Sequence, residues 1–336
     1  LENRCLFMNK LKWLGLVIST VLLGLIIQKI DMAAFWKGLI GLNYPVLIAG
    51  ILIYLAGYAV RAVRWYYLLS HAKKIRFSSL FSIMIIGFMA NNILPARAGE
   101  FVRAYMLGIK ESQSKSLALA TVVMERILDG LVFVLLLIII WLFFPLPEWI
   151  KKTGIFATAI FGCAILFMFW LHSCKLHALE LFRKTFYWLP HKLLDKIIYL
   201  LKYFIEGLQV LQSKSDFLRV CLLSLITWGI ELAMYYLTIL SFGINLPFYG
   251  IVLLMVMVNL CIMIPSAPAY IGVFQAAVLG VLYKCFGLEY NLSLSVSVVL
   301  HGIIVIPVTV LGFIFMAREN MSISGIIKEQ GCRVSK

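Results

Sequence analysis

Apolar residues run almost unbroken through 13–28, 45–63, 116–144, 153–172, 218–242 and 291–317. Each run approaches the ~20 residues that cross a bilayer core, so the pattern predicts six full spans. Lys29, Asp31 and Lys37 follow the first run without a small-residue cleavage pattern, which reads as a retained helix and not a secretory signal. Two further apolar stretches, 78–110 and 247–286, are interrupted midway. The first breaks at Asn91-Asn92-Ile93-Leu94-Pro95, and the second runs from Pro247 through Val258-Asn259 to Pro265-Ser266-Ala267-Pro268. Proline lacks the amide hydrogen that a helix needs and clashes with the preceding turn, so both stretches must bend there.

Positive charge orients these elements. Arg4, Lys10 and Lys12 precede the first span, while Arg61, Arg64, Lys73, Lys74 and Arg76 close the second. By the positive-inside rule both ends face the cytoplasm and the link 29–44 lies outside. The segment 173–217, with Lys175, Arg183, Lys184, Lys192, Lys196, Lys202 and Lys214, is the most basic link. It is expected inside, like both termini, the tail carrying Arg318, Lys328, Arg333 and Lys336. These assignments agree only if 78–110 and 247–286 each enter and leave on one side. The expected fold is therefore all-α and polytopic, a single multi-pass domain over 1–336 in the cell membrane, with six spans and two re-entrant hairpins. The hairpins centre two repeats of opposite direction, 45–144 and 218–317. In secondary transporters such inverted repeats place the substrate between broken helices near the midplane.

Hydrophobic residues make up 63% of the 336 and charged ones 13%, with a net charge of +15. In a soluble protein that charge would suggest nucleic acid. Here it sits in the links between spans, so nucleic acid is not expected and anionic membrane lipids are. A homo-oligomer or a cytoplasmic enzyme partner stays open. The seven cysteines form no Cys-x-x-Cys pair, which argues against a disulfide framework or a zinc site. Within 173–217, Leu181, Phe182, Phe186, Trp188 and Leu189 alternate with basic residues, and Leu193, Leu194, Ile197, Ile198 and Leu201 recur at helical spacing. The segment is either an amphipathic helix lying on the membrane or a basic loop that sets topology.

Ionisable side chains at membrane depth cost ~2.5–3.5 kcal/mol each on insertion scales, so those present need partners or a function. Arg97, Glu100 and Arg103 follow the Pro95 break at three-residue spacing; Glu125 and Asp129 stand one turn apart with Arg126 beside them. With Arg61 and Arg64 there are five Arg against three carboxylates. Arginine's planar fork suits phosphate, and a broken helix offers free amide groups to an anion. Arg97, Glu100, Glu125, Arg126 and Asp129 are expected as one buried constellation, with Arg97 and Arg126 on a headgroup phosphate. The bland alternatives are that Arg61 and Arg64 are interfacial anchors beside Trp65, Tyr66 and Tyr67, that Arg103 only sets topology, and that Glu125, Arg126 and Asp129 merely lock helices together. Glu231 and His301, single polar groups in apolar spans, are either proton-coupling residues or helix glue. With four Asp in the chain there is no Asp-x-Asp pair, and no His-Glu-x-x-His, Walker loop or Gly-x-Ser-x-Gly elbow occurs. No metal or cofactor is expected, and catalysis is the weaker reading.

The segment from Gly87 through Asn91, Pro95, Arg97, Gly99 and Glu100, followed by Glu125-Arg126-x-x-Asp129, resembles the membrane region of lysylphosphatidylglycerol synthases and their flippase-like relatives. Arg61-Ala-Val-Arg64-Trp65 is similar to the family's basic-aromatic signature, and Pro265-Ser-Ala-Pro268 leading to Gln275 is similar to its second motif. Ala269, Gln275 and His301 depart from the usual Gly, Glu and Arg. The resemblance implies a stand-alone membrane domain that moves lipids, without the cytosolic aminoacyl-transferase domain of fused relatives. Together with the residues already singled out, the expected substrate-binding set is Arg61, Arg64, Asn91, Asn92, Pro95, Arg97, Gly99, Glu100, Arg103, Glu125, Arg126, Asp129, Pro265, Pro268, Gln275 and His301. The expected function is flippase-like translocation of an anionic or phosphate-bearing lipid, whether phospholipid, aminoacylated lipid or polyprenyl-linked precursor. The alternatives are a membrane-embedded lipid transferase with Glu100, Glu125 or Asp129 as base, and a lipid-binding subunit that recruits a cytoplasmic enzyme through 173–217.

Overall fold

The computed structural model describes residues 32–69, 75–94, 97–208, 213–264 and 267–319, and its described residues contain no strand. Among them, five helices are long and apolar enough to cross a membrane: α2 (Tyr44–Leu69), α5 (Lys115–Phe143), α6 (Glu148–Ser173), α9 (Lys214–Ser241) and α12 (Tyr290–Arg318). They match the five expected spans from 45–63 onward; the first, 13–28, lies outside the described residues. At about 1.5 Å per residue each exceeds the ~30 Å hydrocarbon layer, so their ends reach the headgroups. Leu142 and Phe143 of α5 and Phe156 and Leu166 of α6 are exposed, whereas Arg64, Arg103, Glu125 and Asp129 are buried. This reverses the water-soluble pattern and is what a lipid solvent requires. The chain is an all-α, multi-pass integral membrane protein.

Both interrupted stretches form pairs of short helices. The first holds α3 (Phe77–Ile93) and α4 (Gly99–Lys110), and the second holds α10 (Phe248–Ile262), a 3-10 turn (Pro268–Tyr270) and α11 (Val273–Leu282). The helices stop where the sequence places Pro95 and Pro265, two residues that themselves lie outside the described set. Short helices α1 (Met32–Ile40), α7 (Lys175–Thr185) and α8 (His191–Glu206) complete the order.

The chain divides into two compact units, one comprising residues 59–83 and 103–228, the other residues up to 58, 84–102 and from 229 onward. In the first, α5 packs against α6 and α8, and α7 joins α6 to α8. Gly130 makes the α5 contact possible, since a Cβ there would enter the Phe161 ring. Small residues of this kind let membrane helices approach closely. The α7–α8 pair occupies the segment 173–217: the Ser116 hydroxyl at the start of α5 donates to the Leu200 carbonyl of α8 (2.6 Å), and Tyr187 and Trp188 between the two helices stand 78% and 68% exposed. In the second unit α12 packs on α1 and α11, and α11 on α10. Gly312 of α12 sits where a Cβ would collide with Met89 of α3.

Candidate functional site

Glu125 and Asp129 fall on one face of α5 because they are four residues apart. Arg64 of α2 meets both. Its Nη2 donates to Glu125 Oε1 (2.9 Å) and its Nη1 to Asp129 Oδ1 (2.6 Å) and to Ser224 Oγ (3.0 Å). Arg103 of α4 takes the other Glu125 oxygen through Nη1 (2.8 Å), and Trp228 Nε1 donates to Asp129 Oδ1 (2.9 Å). The Arg103 guanidinium lies 4.2 Å from the centre of the Trp65 ring, whose Nε1 bonds Thr121 Oγ1 at 3.0 Å. Two arginines and two carboxylates thus neutralise one another inside the first unit, and removing one member would strand a buried charge at a cost of ~3–5 kcal/mol.

This centre differs from the expected one. Arg64, 1% exposed, is its hub, and Trp65 is fully buried; neither is an interfacial anchor. Arg103 is buried as well, so it does more than set topology. Arg61 is buried with its guanidinium 5.4 Å from the Trp228 ring centre. Arg126 joins the hub at its edge: it pairs with Asp129 Oδ2 at 3.4 Å and keeps 19% of its side chain exposed. Ser224, Trp228 and Thr121 were absent from the expected set. The first two stand one turn apart on one face of an apolar span, which is the signal that would have singled them out.

Arg97 and Glu100 belong to the second unit, which holds both helix breaks. Gly99 starts α4 against α3, where a Cβ would strike the Gly87 carbonyl and Asn91. Asn92 Nδ2 donates to Thr309 Oγ1 (2.9 Å) and the Val305 carbonyl (3.3 Å) of α12, whereas the buried Asn91 Oδ1 has no hydrogen-bond partner. Arg97 lies 3.5 Å from Glu100, with 14% and 19% of the two side chains exposed. Its guanidinium reaches over the ring of Tyr270 in the second break, 5.9 Å from the centroid. Arg97, Ala269 and Tyr270 all adopt left-handed backbone, φ 55°, 52° and 60°. Such conformations cost ~1–3 kcal/mol each in non-glycine residues and cluster at functional sites. The left-handed Ala269 accounts for glycine being the family's usual residue there.

Pro268 opens the 3-10 turn, and Gln275 and His301 close it. His301 Nε2 lies 2.6 Å from the Ala269 carbonyl, His301 Nδ1 lies 3.0 Å from Gln275 Nε2, and Gln275 Oε1 accepts from the Gly272 amide (2.7 Å). Two of the family departures noted in the sequence therefore touch each other. Glu231 Oε1 accepts from Asn259 Nδ2 (3.0 Å), which also reaches the Met255 carbonyl at 2.9 Å. Among the described residues no group of three or more His, Cys, Asp or Glu could hold a metal ion.

Residues 12–312 match the family model described as the lysylphosphatidylglycerol synthase TM region. The chain is 26% identical over 235 residues to a UPF0104 membrane protein of Methanothermobacter thermautotrophicus, covering 66% of this chain and 69% of that one. A UPF0104 membrane protein of Methanocaldococcus jannaschii is 31% identical over 121 residues, 35% of this chain and 36% of its own. No solved structure matches.

Proposed function

Since the chain belongs to the lysylphosphatidylglycerol synthase TM region family, linked to lipid handling, we propose that it binds the phosphate of an anionic lipid headgroup and moves that lipid between leaflets. One observation carries this reading: within a single compact unit, two interrupted helices present Arg97 and Tyr270 to each other on left-handed backbone. Arg97 Nε is buried 3.5 Å from Glu100 Oε1, and the two terminal nitrogens of this partly exposed side chain are suited to donate parallel bonds to phosphate. Tyr270 limits the approach to one side of that fork. In the other unit, Arg64, Arg103, Glu125 and Asp129 hold α2, α4 and α5 together. In this reading the two broken stretches are re-entrant hairpins of an inverted repeat, and both termini are cytoplasmic. The α7–α8 pair, with Tyr187, Trp188, Lys196 and Lys202, rests on the anionic inner leaflet of the cell membrane.

Purified protein in liposomes containing headgroup-labelled phosphatidylglycerol provides the test. The expected result is label exchange between leaflets with the lipid chemically unchanged by mass spectrometry. Arg97→Gln, which removes a hydrogen bond to a charged group worth ~1.5–3 kcal/mol, slows exchange about ten- to a hundredfold. A covalently altered lipid would favour the transferase alternative, and absence of exchange would end the transport reading.

A further inference from the structure

The four groups that close the second break fix one another's hydrogens. The Gly272 amide can only donate, so the Gln275 atom 2.7 Å from it is the carbonyl oxygen. That turns the Gln275 amino group, which has only hydrogens to offer, toward His301 Nδ1 at 3.0 Å. His301 Nδ1 must therefore carry the lone pair, and the ring proton sits on Nε2, which donates to the Ala269 carbonyl at 2.6 Å. A backbone amide thus selects the neutral Nε2–H tautomer through one side chain.

An imidazolium has no place in this chain. A second proton on Nδ1 would face the Gln275 amino group, donor against donor. Turning the Gln275 amide over relieves that clash and creates another, since the amino group then faces the Gly272 N–H. The surroundings offer no compensating charge by contact: Phe274 stacks on the imidazole with centroids 4.7 Å apart, and Gln275 and the Ala269 carbonyl are neutral. The titratable Tyr270 follows Ala269, and Arg97 lies over its ring.

We propose that His301 is a positioning residue of the lipid site: its neutral ring clasps the left-handed Ala269–Tyr270 turn in the shape that sets Tyr270 against Arg97, and protonation opens the clasp. Lipid movement is then present while His301 is neutral and lost as the pH falls through its titration. The proposal rests on the lipid-moving function argued above. It assigns Gln275 and His301 to the frame of the site, with Arg97 and Tyr270 left as the groups that meet the headgroup.

The test compares exchange of labelled phosphatidylglycerol at pH 8 and pH 5, equal on both sides of the vesicle, with hydrogen exchange of segment 267–275 measured on the same samples. Wild type should lose about tenfold in rate at pH 5. His301→Gln can accept from Gln275 and donate to Ala269 without titrating, so it should keep most of the pH 8 rate and lose the acid fall. Gln275→Glu accepts from both Gly272 and a doubly protonated His301, and should restore activity at pH 5. A wild-type rate that does not change with pH, or an acid fall of equal size in His301→Gln, would overturn the proposal. Should no variant move lipid at any pH, the transport function fails by itself. The clasp is then judged by hydrogen exchange at pH 5: faster exchange of 267–275 in wild type than in His301→Gln supports it, and equal exchange overturns it.

Discussion

Each compact unit buries a polar cluster, and the two clusters are built on opposite terms. Around Arg64 three of the four contributing helices, α2, α5 and α9, are long and unbroken, and full charges meet in pairs at 2.6–2.9 Å. Around His301 the α10–α11 stretch is interrupted, the backbone is left-handed at Ala269 and Tyr270, and the bonds of the clasp join neutral groups. A buried charge pair resists opening because each partner alone would sit uncompensated in a medium of low dielectric. Neutral hydrogen bonds net only ~0.5–1.5 kcal/mol each, and strain works against them. The difference assigns immobility to the first cluster and motion to the second.

The largest expected effect breaks the rigid side of that contrast. Glu125→Gln takes the shared carboxylate charge from Arg103 and Arg64, and should lower stability by ~3–5 kcal/mol, seen as a strongly depressed melting temperature in detergent and poor recovery from membranes. A variant as stable as wild type would show that the charged cluster is not structural. Arg97→Gln should leave the melting temperature within a few degrees while slowing lipid exchange, which separates binding from folding. Replacing Lys196 and Lys202 of α8 with Gln should weaken attachment to anionic leaflets by ~1 kcal/mol per residue, measured as vesicle-composition dependence of activity, with no change in the clasp. The smallest effect tests the mobile side. Ala269→Gly relieves the left-handed strain and should stabilise by about 1 kcal/mol; a loss of stability would mean that Ala269 is not strained.

The spans were legible because lipid imposes a length rule that few other constraints mimic: 291–317 and Tyr290–Arg318 agree almost to the residue. The breaks were legible for a similar reason, proline being incompatible with a continued helix. Partnership was harder to read. Arg64 and Arg126 look alike in sequence, and that Arg64 bridges Glu125 and Asp129 depends on the rotation of α2 against α5, which no local pattern encodes. Ser224 and Trp228 join the centre from a helix some hundred residues downstream of the carboxylates, one accepting from Arg64 and the other donating to Asp129. Gln275 and His301 read as two independent departures from a motif, because 26 residues separate them. Their contact, 3.0 Å in the structure, is set by the packing of α11 on α12.

The bond from Ser116 to Leu200 has a metric consequence. Ser116 and Glu125 lie nine residues apart on one unbroken helix, about 14 Å along its axis, close to half of the ~30 Å hydrocarbon layer. If α8 rests on the leaflet surface as proposed, α5 becomes a depth gauge: it holds the Glu125 carboxylate a fixed ~14 Å below that surface, whatever the local thickness. A membrane that thins or thickens must then deform around the protein, since the gauge cannot slide without tearing α8 from the surface that it reads.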